Sequence, residues 1–444
     1  MRFRSSSLLA LRTLLSGRPP ARREIEAFRD ARLRELVRHA WERVPYYRRL
    51  FGRHGITPRD IGGVADLAAI PTTSKKTLQA LPAEDLLARG VDAERLVAHR
   101  TSGSTGLPFT VRRTWLEERV LNAFRWRALR TFGLRATDRR VYVGISRPLD
   151  PRNDRLPQRL LHRLGFRPHT IVDCHQPVEA IVRQICEVHP DVIAGLSGAL
   201  WRVALSASAA ERRLLRPRFV YAAGEVLTPE MRRQIGQALA VPVYDAYGSH
   251  EFNLIAWQCA QTGVYHTCDD LLVVEVLADG KPVAPGERGE LVGTSLHSFA
   301  MPFIRFRLGD IVTKGTEQCA CGQPFSTIRA IEGRMHDFFP LPDGRVVLPS
   351  AIVGILVRHA PWLGEYRMIQ ETMERIVLRA VPLFAPSVAE IGRVRGMVES
   401  YLGAGVRFEV ELLAEIPPDP GGKTRLSRSL VSPIYDGLDW SALS

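Results

Sequence analysis

The chain has 444 residues, 45% of them hydrophobic and 24% charged, a globular balance with room for two or three domains and for cores that need no disulfide or metal staples. Its net charge is +14, but Glu24, Glu26 and Glu35 dilute the basic N-terminal stretch as on a solvated helix face, and no RNA-binding aromatic signature or finger spacing accompanies it, which argues against a nucleic-acid partner. No run of about 18 apolar residues exists, which excludes a membrane-spanning helix by hydropathy.

The first residues are apolar only briefly, are broken by Arg12 and lead to no small-residue cleavage site. They read as mature protein, and the expectation is a cytoplasmic location. Residues 24–54 carry Leu33, Leu36, Val37, Ala40 and Trp41 at helical spacing, with a break at Val44-Pro45-Tyr46-Tyr47. Residues 69–80 read as a loop entering a short helix. The middle alternates. A helix over 177–188 opens at Pro177, strands are expected at 191–195, 218–222 and 241–246, and helices near 198–208 and from Pro229 to about Leu239, the latter capped by Thr228. This alternation predicts an α/β layered fold. After about residue 271 the helices fade into a β-rich region with a turn at Asp279-Gly280. A smaller unit begins near Gly333, with a hairpin signal at Asp343-Gly344, a helix near 387–402 and a strand at Phe408–Leu412.

Thr101-Ser102-Gly103-Ser104-Thr105-Gly106-Leu107-Pro108 is the strongest local signal. Glycines let a backbone turn with its N–H groups inward and hydroxyls add donors, so such a loop can wrap a polyphosphate. It is not a Walker A loop, since no Gly-Lys-Ser/Thr ends it; a plain surface loop of the same composition is the bland alternative. Nearly all basic residues are Arg. The lysines are confined to Lys75, Lys76, Lys281, Lys314 and Lys423, and a retained Lys points to a task for a compact ammonium rather than a planar fork.

T-S-G-S-T-G-x-P resembles the phosphate loop of adenylate-forming enzymes. The block Leu36-Val37-Arg38-His39-Ala40-Trp41-Glu42-Arg43-Val44-Pro45-Tyr46-Tyr47 resembles the N-terminus of the phenylacetate-CoA ligase and capsule-biosynthesis-like branch. The resemblance runs, with gaps, through the chain. It implies an α/β fold with a large N-terminal AMP-binding domain over 1–333, built of layered α/β subdomains and a β-rich region, and a small mobile C-terminal α+β lid over 334–444. Leu107 departs from the pattern, because many relatives carry Lys there.

The same resemblance implies the site. Thr101, Ser102, Gly103, Ser104, Thr105 and Gly106 would hold phosphates. Ala222-Ala223-Gly224-Glu225 would line the adenine through Ala223, Gly224 and Glu225. In Tyr247-Gly248-Ser249-His250-Glu251, Tyr247 would stack on adenine beside Gly248, and Glu251 would coordinate Mg²⁺, a hard cation suited to carboxylate oxygen. Asp310 would accept from the ribose hydroxyls. Arg334 would reach ribose or phosphates, with the hinge open between His336 and Asp337. Lys423, in Pro420-Gly421-Gly422-Lys423, would bridge carboxylate and α-phosphate. Catalysis is thereby assigned to Lys423, Glu251 and Thr105.

The implied reaction activates a small carboxylic acid with ATP, giving an acyl-adenylate and pyrophosphate, and then forms a coenzyme A thioester. Mg²⁺ and Lys would offset the paired anions. Alternatives are transfer to an amine, a hydroxyl or a carrier-protein thiol, and a non-catalytic nucleotide-binding relative, suggested by Leu107 and His336. A homodimer and a carrier protein stand as candidate partners. Gly195-Leu196-Ser197-Gly198-Ala199 falls short of the G-x-S-x-G elbow by its final Gly, which disfavours a serine hydrolase. Among the cysteines, Cys174 and Cys186 are isolated. Cys259, His266, Cys319 and Cys321 have the soft donors of a tetrahedral structural Zn²⁺ site, with Cys268 as an alternate ligand and reduced free thiols as the bland reading.

Overall fold

In a computed structural model, the described residues are 20–100, 109–145, 170–334, 337–416 and 425–431. The chain divides into two compact units, each discontinuous in sequence: residues 1–133 with 246–331, and residues 134–245 with 332–444. The boundaries fall inside the strands Val243–Tyr247 and Thr327–Arg334.

In chain order the larger elements are α1 (Arg22–Arg43), α2 (Pro45–Arg53), β1 (Val97–Arg100), β2 (Thr110–Arg113), α3 (Trp115–Thr131), β3 (Arg140–Gly144), β4 (Thr170–Asp173), α4 (Val178–Val188), β5 (Val192–Gly195), α5 (Ser197–Ser206), β6 (Phe219–Ala223), α6 (Pro229–Leu239) and β7 (Val243–Tyr247). They continue with β8 (Ala256–Gln258), β9 (Tyr265–Thr267), β10 (Leu272–Ala278), β11 (Arg288–Ser295), β12 (Phe306–Lys314), β13 (Thr327–Arg334), α7 (Pro349–His359), β14 (Leu363–Thr372), β15 (Arg375–Pro382), α8 (Val388–Leu402), β16 (Arg407–Leu412) and β17 (Ser427–Ser429).

The first unit is built on the antiparallel order β10-β11-β12-β13-β9-β8. The turn joining β10 to the short strand after it has positive φ at both Asp279 and Gly280, as a type I′ turn requires. Helices α1 and α2 pack on the segment between β11 and β12. Their apolar stripe, Ile25, Leu33, Leu36, Val37 and Ala40, is fully buried. Polar tips at the contact are satisfied by backbone. His39 Nε2 meets Phe299 O at 2.9 Å, and the Tyr47 hydroxyl donates to Pro302 O at 3.2 Å while accepting Ile304 N at 2.9 Å. The α1 helix stops at Arg43, and Pro45 restarts a helix at its first turn, where its missing N–H costs nothing.

The second unit has a parallel layer ordered β7-β6-β5-β3-β4, flanked by helices. Its strands β5 and β6 are buried along their whole length, which explains their continuous apolar runs. The Thr228 hydroxyl accepts Met231 N at 3.2 Å to cap α6. The 332–431 portion carries a four-stranded sheet ordered β16-β15-β14-β17, covered by α7 and α8. Its core and that of the parallel layer form one buried cluster. Trp201 on α5 meets Tyr366 on β14 edge-on at 5.9 Å. Among the described residues no helix is long and apolar enough to cross a membrane.

His297 lies wholly inside the first unit, against Phe28 and Phe124, with Nε2 on Asp270 O at 2.9 Å. Its Nδ1 is buried without a partner among the described residues. Burial, seconded by Arg32, pushes its pKa down to about 4. The fold therefore selects the neutral imidazole, and unfolding takes up a proton once pH falls below about 6.5. Its contribution is fully present above that pH and is lost between about 6.5 and 4, by up to about 3 kcal/mol. His297→Gln is expected to flatten the dependence of melting temperature on pH across that window. An unchanged slope would place the acid response elsewhere.

Candidate functional site

The first unit brings Tyr247 and Asp310 together. Tyr247 ends β7 and Asp310 lies in β12, and the phenol donates to Asp310 Oδ2 at 2.5 Å. The turn after Tyr247 is tight. Asn253 N donates to Ser249 O at 2.8 Å, Phe252 N to the Ser249 hydroxyl at 3.2 Å, and Asn253 adopts a left-handed φ of 68°. A Cβ on Gly248 would sit 2.0 Å from Asn253 O, so only glycine fits there. Within this turn Glu251 is 6% exposed. Among the described residues its carboxylate has no hydrogen-bond or ion-pair partner, and a buried bare carboxylate calls for a cation.

Strands β1 and β2 pair antiparallel on either side of residues 101–108. Thr101 to Gly106 lie outside the described residues. Three side chains that the sequence did not single out, His99, Arg113 and Glu118, form a polar cluster across β1, β2 and the start of α3. Arg113 is buried and donates through Nη1 to Glu118 Oε2 at 3.2 Å and through Nη2 to the His250 carbonyl. His99 Nε2 meets the same Glu118 oxygen at 3.1 Å, and the His99 and His250 rings stack with centroids 6.0 Å apart. Burial opposes ionisation of Glu118, but His99 and Arg113 overrule it and hold its pKa down at about 2. The adjacent capping box, in which Glu117 receives Thr114 N at 2.7 Å, starts α3.

Of the predicted residues in the second unit, Ala223 ends β6 and Gly224 follows with φ +87°. Glu225 Oε2 accepts Gly198 N at 2.8 Å, and its carbonyl accepts the Ser197 hydroxyl at 3.3 Å. Ser197 is fully buried and occupied as a donor, which explains why the near-elbow offers no nucleophile. Arg334 is the last residue of β13 and is half-buried. His336 and Lys423 lie outside the described residues.

Cys259, His266, Cys319 and Cys321 gather in the first unit, with ligand atoms all within 4.8 Å of one another. The β8–β9 hairpin supplies the first two: Cys259 closes its loop by donating N–H to Val264 O, and His266 pairs across from Trp257. The second pair comes from a turn in which Gly322 N returns to Cys319 O at 3.0 Å. Cys319 and Cys259 sulfurs are 3.9 Å apart, and Cys321 Sγ is 3.3 Å from His266 Nε2. Edges of a tetrahedron with zinc–sulfur and zinc–nitrogen bonds would be about 3.8 and 3.5 Å. Burial pushes the His266 pKa down to about 4, keeping the lone pair a ligand needs. Burial and the neighbouring cysteines push Cys321 up to about 11, while Thr262 and backbone donors outweigh burial and bring Cys259 below its usual value. A cation among the four donors would offset the cost of ionising Cys321 beside its neighbours. Cys268 is elsewhere: it is fully buried, its thiol pushed well up by burial against the charge of Arg127.

No family model matches the chain. The phenylacetate-coenzyme A ligase of Escherichia coli (strain K12) is 30% identical over 376 residues, 78% of this chain and 79% of that protein. The phenylacetate-coenzyme A ligase of Thermus thermophilus is 26% identical over 459 residues, 91% of this chain and 96% of that one. Among solved structures, 2-hydroxyisobutyryl-CoA ligase in its postadenylation state matches the fold with a TM-score of 0.76 at 22% identity, over 93% of this chain and 90% of that chain.

Gly248→Ala is expected to destabilise the first unit by about 1–3 kcal/mol, because the new methyl meets backbone rather than a yielding side chain. Gly52→Ala in α2, with nothing within 4 Å, should raise stability by about 0.5–1 kcal/mol. Shifts of the urea midpoint in opposite directions check the pair.

Proposed function

The chain belongs to the phenylacetate-CoA ligase family, and on that premise we propose that it activates a carboxylic acid as an acyl-adenylate, releases pyrophosphate and passes the acyl group to coenzyme A. The observation that carries this reading at the site is Glu251, largely buried and without a hydrogen-bond or ion-pair partner among the described residues, in the turn that begins at Tyr247, the residue bonded to Asp310. Asp310 offers carboxylate oxygens to ribose hydroxyls, and the Tyr247 ring offers a flat face to a purine. Glu251 would hold Mg²⁺, whose charge offsets that of the phosphates. A carboxylate without a partner among the described residues fits a hard cation. No protein nucleophile is needed, because the acid's own carboxylate attacks the α-phosphorus and pyrophosphate leaves.

The finer assignments rest on sequence. Residues 101–106 would cradle phosphates through backbone N–H groups, Ala223, Gly224 and Glu225 would line the base, and Arg334 would reach ribose or phosphate. Residues 334–444 would act as a lid presenting Lys423 to the carboxylate and α-phosphate, a task suited to a compact ammonium. Cys259, His266, Cys319 and Cys321 would hold one structural Zn²⁺, closed by four protein ligands.

Purified protein should exchange labelled pyrophosphate into ATP only with a suitable acid and Mg²⁺ present. Silence across aryl and aliphatic acids would falsify the adenylation reading. Lys423→Ala is expected to slow exchange by about 10²–10³, while thioester formation from supplied acyl-adenylate and coenzyme A is spared; equal loss in both would make Lys423 structural.

Protein prepared without chelator should contain one equivalent of zinc. Strong chelation should lower the melting temperature before it lowers the specific activity of the folded fraction, since metal binding is linked to folding. Far less than one equivalent by elemental analysis would sink the zinc assignment.

A further inference from the structure

Glu251 sits in a turn that Phe252 anchors in the core against Phe303 and Phe306. Side-chain hydrogen bonds tie its two flanks, His250 and Asn253, to other elements and lead back to one carboxylate. In the β1–β2 register Val97 opposes Arg113 and His99 opposes Val111, so His99 and Arg113 project from the same face and reach one acceptor. That acceptor is Glu118 Oε2, on the first turn of α3. The other guanidinium nitrogen of Arg113 donates to the His250 carbonyl, one residue before Glu251.

The second carboxylate oxygen works in the opposite direction. Glu118 Oε1 accepts Asn122 Nδ2 at 3.4 Å, one helical turn along α3, and Asn122 Oδ1 accepts Asn253 Nδ2 at 3.1 Å. Asn253 lies two residues after Glu251 and closes the turn through its bond to Ser249 O. His250 and Asn253 therefore bracket Glu251, and each is tied back to Glu118 by a separate arm.

We propose that Glu118 is a positioning residue: through Arg113 to the His250 carbonyl and through Asn122 to Asn253, it holds both flanks of Glu251 and so fixes the divalent-cation ligand relative to the strands that flank residues 101–108. This rests on the assignment of Glu251 to Mg²⁺. A cation ligand works only when its carboxylate is held within a fraction of an ångström, and here the supporting shell is a buried guanidinium and two amides rather than a direct bond to the ligand itself.

The test is equilibrium binding of ATP, without acid substrate, by calorimetry in the presence and absence of Mg²⁺. Wild-type protein should bind ATP more tightly with Mg²⁺. In Glu118→Gln the Mg²⁺-dependent gain should fall about tenfold, as for other outer-shell partners of metal ligands, with metal-free ATP affinity unchanged; a purely structural role would weaken both together. Asn122→Ala, at an exposed position that the fold tolerates, should lose about threefold of the same gain by breaking one arm, and it alone decides the matter should Glu118→Gln fail to fold. A Mg²⁺ gain identical to wild type in a folded variant overturns the clamp. A wild type whose ATP binding ignores Mg²⁺ overturns the assignment of Glu251 beneath it.

Discussion

A charged guanidinium in the interior of the first unit sets terms for everything around it. Arg127 on α3 is bonded to Asp270 through both terminal nitrogens, one at 2.8 Å, and Asp270 is fully buried. Removing such a pair from water costs several kcal/mol per ion, recovered only if geometry and surroundings are right. Here the cation lies near the rings of Phe124, Trp257 and Phe325, at 5.1, 5.9 and 5.0 Å. The Asp270 carbonyl takes His297. Trp257 in turn presents its ring to His266 at 5.3 Å, and Phe325 follows Cys321 by four residues. Helix α3, the β8–β9 hairpin, the cysteine turn and the loop before β10 are thus held in mutual register by the need to compensate one charge. The same α3 carries Glu118 and Asn122 toward the Glu251 turn, so the buried pair also orients the candidate site.

The parts of the fold legible in sequence are those where local chemistry and burial agree. Three strands of the parallel layer, β5, β6 and β7, showed because they are short apolar runs, while β3 and β4 did not, and α6 showed because Thr228-Pro229 is a cap followed by a first-turn proline. Asp279-Gly280 and Asp343-Gly344 showed because positive φ narrows the choice of residue. The division of the chain into two discontinuous units did not show. It depends on which distant segments share a core, and an apolar helix face carries no address: the stripe of α1 is the same whether its partner is thirty residues away or, as with His39 and Phe299, more than two hundred.

At the site the pattern repeats. The donor set Cys259, His266, Cys319 and Cys321 was readable because soft ligand types suit a specific metal chemistry, whereas Gly248 came only with the resemblance and its need for glycine is a finding of the structure. The Tyr247–Asp310 bond was not read, one partner having been assigned to the base and the other to the ribose. Glu118, His99 and Asn122 were invisible, since a carboxylate beside a capping glutamate looks like one more solvated helix charge. Strand register alone places His99 and Arg113 on the same oxygen. The cysteine at 268, weighed as an alternate ligand, is turned away toward Arg127, a difference in side-chain direction that spacing does not encode.

The interleaving of the two units bears on how the chain is born. Helices α1 and α2 bury their apolar face against residues near Leu296 to Ile304, which leave the ribosome only after the whole of 134–245 has been made. At about 5–20 residues per second, that interval exposes the stripe for roughly ten to fifty seconds. Residues 134–245 in turn share a core with strands that follow residue 332. Neither unit can finish before synthesis has passed beyond the start of the other. The nascent chain therefore carries two half-built cores at once, and a chaperone that shields the α1 stripe would act on this topology before any ligand does.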